Sequence, residues 1–95
     1  MSYSVRFSKA IQRQIARLPG HVRNQAKQRI LELRNQPRPS DAKELDEHPG
    51  YFRIWLQGDY RLVWYVDDPV QLVDIYYVGL KYDELYTDLG LSRPN

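Results

Sequence analysis

The chain of 95 residues contains no cysteine and only two histidines, His21 and His48. Disulfide bonds and thiolate metal sites are therefore excluded, and two imidazoles alone disfavour a zinc centre. No apolar run approaches the roughly 20 residues that a helix needs to cross a bilayer, and the N-terminus lacks the long apolar core of a secretory signal. We therefore expect a cytoplasmic protein that works without a membrane, a metal or another cofactor.

The composition fits one globular domain over residues 1–95, because 42% of the residues are hydrophobic and 27% are charged. The net charge of +2 is distributed unevenly between the two halves of the chain. Residues 1–43 carry ten Lys or Arg against two Asp or Glu, whereas residues 44–95 carry four against ten. The basic first half indicates an acidic partner or nucleic-acid phosphates, and the alternative is a solvated helical surface.

Hydrophobic periodicity predicts an α+β fold in the order βααβββ, followed by a short C-terminal helix. We expect two N-terminal helices, the first capped by Ser8, to pack on one face of a small antiparallel sheet. A loop with one turn at residues 42–45 should connect the helices to the later strands. The predicted strands are 3–7, 51–57, 60–66 and 71–79, and the predicted helical segments are 9–18, about 21–35, and one or two turns in 82–89.

The stretch RIWLQGDYRLVWYV predicts a β-hairpin with a definite register. The alternate apolar residues of both strands face the core together only if the loop is odd in length, most simply Gln-Gly-Asp. That register places Trp55 opposite Arg61 on the other sheet face, with Arg53 at the next position along. Two guanidiniums beside an indole on an uncovered sheet face are suited to bind a phosphate and a stacked base. Alternatively, the two arginines bind carboxylates such as Asp59 or Asp74.

Several short motifs follow one another along the chain, and in this order they resemble those of a known family. They are Tyr3-x-Val5-x-Phe7-Ser8, Leu18-Pro19, Pro37-x-Pro39, Ala42-Lys43-Glu44-Leu45, Arg53-Ile54, Gly58-Asp59-Tyr60-Arg61-Leu62-Val63, Val78-Gly79 and Tyr86. The chain resembles the RelE/ParE toxin superfamily of type II toxin–antitoxin systems, and the RelE branch in particular. The resemblance covers nearly the whole chain. It implies a RelE-like fold and a cognate antitoxin from an adjacent gene, held in a hetero-oligomeric complex.

For the RelE branch, the resemblance implies an endoribonuclease that cleaves mRNA on the ribosome. A ribose 2′-hydroxyl attacks the adjacent phosphate without a metal ion, which requires a base, an acid and positive hydrogen-bond donors. Two alternatives stay open at this point. One is a ParE-like inhibitor of DNA gyrase, and the other is a catalytically weakened homologue that only binds an antitoxin.

The resemblance also implies roles for individual residues. Arg61 would stabilise the transition-state phosphate, and Arg53 matches a basic position of the sheet. Lys81 falls where RelE-like nucleases have an arginine that acts as acid or phosphate contact, and a lysine keeps the charge but loses the bidentate fork. Tyr86 would stack on or position the substrate. Without the resemblance, Lys81 is a solvated residue and Tyr86 seals the C-terminal turn. Further candidates for substrate binding are Trp55, Lys43, Tyr82 and His48.

One position departs from the family pattern. The best-known RelE nucleases have a second lysine two positions after the first, credited with base chemistry, where this chain has Trp55. An indole cannot accept a proton. The candidate bases are then Glu47, His48 and Lys81, although His48 is also readily explained as an ordinary loop histidine. The sequence leaves open whether Tyr82 or Tyr86 is the substrate-side ring.

Overall fold

The structure is a computed structural model that describes residues 2–46 and 48–91. The α+β class is confirmed, with the helices packed on one sheet face. No helix within these residues combines the length and the apolar character that crossing a bilayer requires. In chain order the elements are β1 (Ser4–Arg6), α1 (Lys9–Ala16), α2 (Gly20–Leu33), β2 (Lys43–Glu44), β3 (Tyr51–Trp55), β4 (Tyr60–Asp67), β5 (Leu72–Leu80) and α3 (Leu85–Asp88).

Both N-terminal helices form where the sequence predicts them and end about two residues earlier. Ser8 caps α1, because its hydroxyl accepts a hydrogen bond from the backbone N–H of Ile11 at 3.1 Å. α1 ends at Ala16 and α2 ends at Leu33, since the next residues of each segment form turns. The Pro-Gly break between the helices lets them pack as a hairpin.

The five strands form one sheet in the order β1-β5-β4-β3-β2. The sheet is mixed rather than wholly antiparallel, because β1 pairs with β5 in parallel, with Ser4 opposite Leu72. Strands joined by short loops must be antiparallel, whereas β1 and β5 are separated by the rest of the fold and are free of that constraint. Instead of the predicted turn at 42–45, Lys43 and Glu44 form β2, which pairs antiparallel with β3.

The main core lies between the two helices and one face of the sheet, here called the inner face. Trp64 on β4 is completely buried there, and its Nε1 donates a hydrogen bond to the carbonyl of Pro37 at 3.0 Å. This bond anchors the proline-containing loop to the core. The predicted register of the β3–β4 hairpin is confirmed, with Trp55 opposite Arg61. The inner-face residues of this hairpin are Phe52, Ile54, Leu56, Leu62, Trp64 and Val66.

The opposite face of the sheet, here called the outer face, is partly covered, contrary to the prediction. Val63, Leu85 and Leu91 are all buried, yet none of them belongs to the core beneath the two helices. The hydrogen bond from Arg61 on β4 to Tyr86 on α3 brings this helix to the outer face. The segment that contains α3 therefore packs against the outer face at the middle of β4.

A β-bulge in β5 places two consecutive tyrosines on the outer face. Val63 pairs with Tyr77 and the next residue of β4 pairs with Ile75, so Tyr76 is the extra residue. The hydroxyls of Tyr76 and Tyr51 are 3.2 Å apart. This hydrogen bond, together with partial burial, raises the pKa of Tyr51 to about 12.

Candidate functional site

Arg61 is the only polar or charged residue that is buried in the described chain, with 4% of its surface exposed. Its Cζ lies 3.8 Å from the centroid of the Trp55 ring, and its Nη1 donates a hydrogen bond to the Tyr86 hydroxyl at 2.6 Å. The three side chains come from β4, β3 and α3. The hairpin register and the packing of α3 therefore fix the position of the guanidinium together.

The guanidinium of Arg61 has no carboxylate within ion-pair distance among the described residues. Asp74, one of its predicted partners, instead binds Arg6 at 2.7 Å. Nε of Arg61 is also buried and has no hydrogen-bond partner. A buried cation without a counter-ion is unfavourable for the fold. The missing interaction is one that an anionic ligand can supply.

A cleft of about 460 Å³ opens beside Tyr86, between the β2–β3 hairpin and the α3 segment. Lys43 and Arg53 line it from directly opposite positions on β2 and β3. Like charges at such cross-strand positions destabilise the pair unless an anion lies between them. The cleft is therefore suited to a phosphate-bearing ligand. Its other lining residues are Glu44, Leu45, Asp46, His48, Thr87 and Leu91.

The loop between β2 and β3 holds His48 at this cleft. The carboxylate of Glu44 accepts a hydrogen bond from the backbone N–H of Gly50 at 2.8 Å, which closes the loop. Gly50 has a φ of +91°, and a Cβ there would lie 2.7 Å from the Tyr65 ring, so the tight loop requires glycine. Nε2 of His48 is buried without a hydrogen-bond partner. Glu47, another candidate base, lies outside the described residues.

Lys81 follows β5 and lies on the same sheet face as Arg61. Its backbone N–H donates a hydrogen bond to the carbonyl of Asp59 at 2.9 Å, which continues the ladder in which Gly79 is opposite Arg61. Side chains alternate along a strand, so Lys81 shares the face of Gly79. Lys81 thus follows the strand that pairs with the strand of Arg61, although it is not among the residues that line the cleft.

The two C-terminal tyrosines have different surroundings. Tyr86 contacts Arg61 and lines the cleft. Tyr82 is 41% exposed, and its hydroxyl donates a hydrogen bond to Asp88 at 2.8 Å, away from the cleft lining. Of the two tyrosines, only Tyr86 therefore lies both at the Arg61 guanidinium and at the cleft. The packing of α3 against the outer face was not predicted from the sequence.

The outer face thus combines several chemical capabilities in one area. It provides four cationic residues, a tyrosine hydroxyl, an imidazole and an indole. Within residues 2–46 and 48–91, no group of three or more His, Asp or Glu side chains is placed to hold a metal ion. The arrangement can bind an anion and exchange protons with it.

A larger groove of about 700 Å³ lies elsewhere, between α1 and α2. Two of its apolar residues are well exposed, Leu31 at 57% and Phe7 at 38%. Exposed apolar surface of this kind typically marks a protein-binding site. The other residues along the groove are Gln12, Ile15, Ala16, Arg23, Lys27 and Ile30.

Comparison with known proteins gives matches among solved structures. No protein-family model matches the chain, and no curated protein sequence matches it at a significant level. The chain superimposes on a double mutant of the E. coli toxin RelE in the free state with a TM-score of 0.79. The two are 28% identical, and the match covers 95% of this chain and 96% of that one. The chain has the RelE fold.

Two toxin–antitoxin complexes give further matches to this RelE-like chain. A chain of the RelBE2 complex from Mycobacterium tuberculosis is 28% identical, with a TM-score of 0.69 over 85% of this chain and 100% of that one. The RelE–RelB complex from Pyrococcus horikoshii matches at 21% identity and a TM-score of 0.70, over 84% and 96%. The resemblance deduced from the motifs is confirmed, because in fold and in sequence the chain is similar to RelE toxins.

Proposed function

We propose that this RelE-like protein is the toxin of a type II toxin–antitoxin system and that it cleaves mRNA bound to the ribosome. The observation that carries the proposal is Arg61, a buried cation that lacks a carboxylate and is held between an indole and a tyrosine hydroxyl. The similarity to RelE toxins supports it. The site of action would be the cytoplasm, where ribosomes and mRNA meet.

The proposed reaction is a transesterification within the RNA strand. A ribose 2′-hydroxyl gives its proton to a base on the protein, and its oxygen attacks the adjacent phosphorus. The P–O5′ bond then breaks, and the leaving oxygen takes a proton from an acid. The products are a 2′,3′-cyclic phosphate and a 5′-hydroxyl. Fixed donors in a site that excludes water stabilise the charge that builds up on the phosphorane.

The cationic residues of the outer face fit this charge distribution. Arg61 is desolvated and fixed in place, and in the described chain only its Nη1 has a hydrogen-bond partner. Because Nε is buried, Nη2 is the donor proposed to bind the phosphorane oxygens. Lys43 and Arg53 would bind neighbouring phosphates along the cleft. Lys81 is the proposed proton donor to O5′, and the Tyr86 hydroxyl keeps its own proton free to bind the substrate.

His48 is the proposed base. Trp55 cannot take this role, because an indole accepts no proton. Among the cleft carboxylates, Glu44 is bound to a backbone N–H, and Asp46 is exposed to water. The imidazole of His48 lies at the cleft, and a neutral imidazole has a nitrogen that can accept a proton, as a general base must.

Primer extension on an mRNA translated in a reconstituted system tests the proposal. We expect cuts in ribosome-bound message with the wild-type protein and none with Arg61→Ala, while ribosome-free mRNA stays intact. Arg17→Ala is the matched control, since Arg17 is exposed just after α1 and should leave cleavage unchanged. A folded wild-type protein that cuts no message but inhibits supercoiling by gyrase would replace this proposal with the ParE-like alternative.

The groove between α1 and α2 is the proposed docking surface for the cognate antitoxin, in a hetero-oligomeric complex. Its apolar lining and its basic residues Arg23 and Lys27 fit an amphipathic segment with an acidic edge. Leu31→Asp should weaken binding of the adjacent gene product in calorimetry. Val70→Asp is the control, because Val70 is similarly exposed at 66% but lies in the β4–β5 turn. Equal affinities of the two variants would contradict this surface.

A further inference from the structure

One face of the Trp55 ring is open to solvent, and the reaction proposed above does not use it. The residue is 51% exposed. The guanidinium of Arg61 covers one face of the indole, with Cζ 3.8 Å from the ring centroid. No ring pair in the described part of the chain includes Trp55. The other face is therefore available to a planar ligand.

The contact with Arg61 orders the indole before any ligand arrives. The guanidinium is itself fixed by burial and by its hydrogen bond to Tyr86. A ligand that stacks on the open face meets a ring that has already lost its rotational freedom, so less conformational entropy is lost on binding. Aromatic side chains in such positions stack with nucleic-acid bases of any type, because every base has a π-face.

The position of the ring relates it to the anion site. Trp55 and Arg61 are directly opposite each other on β3 and β4. Side chains at such positions have Cβ atoms about 4.5–5.5 Å apart. A base stacked on the open face of the indole would lie on the opposite side of the ring from the Arg61 guanidinium. A phosphate at the edge of the guanidinium is then close enough to belong to the same nucleotide or to its neighbour.

We infer that the open face of Trp55 binds an unpaired RNA base next to the phosphate held by Arg61. The inference rests on the proposed nuclease function and adds to it a base-binding subsite. The ligand class is single-stranded RNA, since a base must be free of its own helix to stack on a side chain. The residue that replaces the family's lysine thus binds substrate rather than transferring a proton.

Indole fluorescence reports this stack directly, because the only other tryptophan, Trp64, is fully buried. The probe is a short RNA with 2′-O-methyl riboses, which cannot be cleaved because the attacking hydroxyl is blocked. We expect saturable quenching with the wild-type protein and none with Trp55→Leu. That variant should bind the labelled probe about 5- to 150-fold more weakly in anisotropy titrations. Trp55→Phe should lose less affinity for the probe, since a phenyl ring still stacks on a base.

A probe with an abasic nucleotide distinguishes base stacking on Trp55 from a role of Trp55 in positioning Arg61. Trp55→Leu should bind this abasic probe as tightly as the wild-type protein does, which would not hold if Trp55 served only to position Arg61. Inorganic phosphate alone should leave the fluorescence unchanged. Quenching by phosphate equal to that by RNA, or unchanged RNA affinity of folded Trp55→Leu, would overturn the inference.

The nuclease function and the base subsite can fail separately in these experiments. Quenching by the probe without cleavage of ribosome-bound message would leave the base site standing and remove the nuclease function. If the protein cleaves message but Trp55→Leu and wild-type protein bind RNA with equal affinity, the nuclease function would stand and the base site would be removed. Circular dichroism and urea unfolding establish that the variants are folded, which their exposed position leads us to expect.

Discussion

Replacing Arg61 with methionine should make the free protein more stable while removing its anion site. Arg61 is 4% exposed, and its guanidinium has no counter-ion in the described chain. Burial of an ion opposes folding by several kcal/mol even after the surroundings relax. The hydrogen bond to Tyr86 returns about 1.5–3 kcal/mol, and the contact with Trp55 returns about 0.5–2 kcal/mol. The unpartnered Nε adds a further penalty of about 1–3 kcal/mol.

Methionine removes the buried charge and keeps an unbranched apolar side chain that can still pack against the indole. We expect the free energy of unfolding to rise by about 1–3 kcal/mol in urea titrations. For a domain of this size, each kcal/mol corresponds to about 4–8 °C in Tm. Arg53→Met is the control on the same sheet face. Since Arg53 is only half-buried, its replacement should change stability by no more than about 0.5 kcal/mol.

The same variant tests whether Arg61 is the anion site. Phosphate at ten times its Kd should stabilise the wild-type protein by about 1.4 kcal/mol through mass action. Arg61→Met should gain nothing from phosphate. A variant that is less stable than the wild-type protein by 1 kcal/mol or more, or equal stabilisation of both proteins by phosphate, would refute the reasoning.

Three other predictions concern the surroundings of the site. His48→Gln should abolish most cleavage of ribosome-bound message, whereas His21→Gln, on the exposed side of α2, should cleave at the wild-type rate; cleavage by His48→Gln at the wild-type rate would exclude His48 as the base. Because the hydrogen bond with the Tyr76 hydroxyl, together with burial, raises the pKa of Tyr51 from 10.0 to about 12, the stabilising contribution of Tyr51 should hold below pH 10 and be lost between pH 10 and 12. Ultraviolet titration with unfolding measurements can follow this loss. Gly50→Ala should destabilise the protein by more than Gly58→Ala in thermal unfolding. Both glycines have a positive φ (+91° and +62°), but only a Cβ at Gly50 would meet another side chain. Equal losses of stability in the two variants would contradict this reasoning.

The β3–β4 hairpin was predictable because its sequence alternates strictly. An odd loop was the only way to bring the apolar residues of both strands to the core, and this placed Trp55 opposite Arg61 as observed. The helix cap at Ser8 was predictable for a similar reason, since a short polar side chain precedes the first helical residue. In both cases the information lies within a few neighbouring residues.

The packing of α3 over Arg61 could not be predicted in this way. Alternation shows that Arg61 and Val63 share the outer face, but it does not reveal that α3 returns to cover it. Leu85 gives no sign of which surface it will contact, because a helix of four residues is too short to have a clear apolar face. The bulge at Tyr76 was missed since it breaks the alternation on which the strand prediction depends.

The pairing of β1 with β5 bears on when the protein can act during its own synthesis. The ion pair between Arg6 and Asp74 joins residues 68 positions apart. β1 is therefore synthesised long before its partner strand, and the sheet closes only after β5 has left the ribosome. Tyr86, which holds the guanidinium of Arg61, is made later still. The ribosome that translates this protein thus completes everything through Tyr86 before the proposed active site can assemble and attack a message.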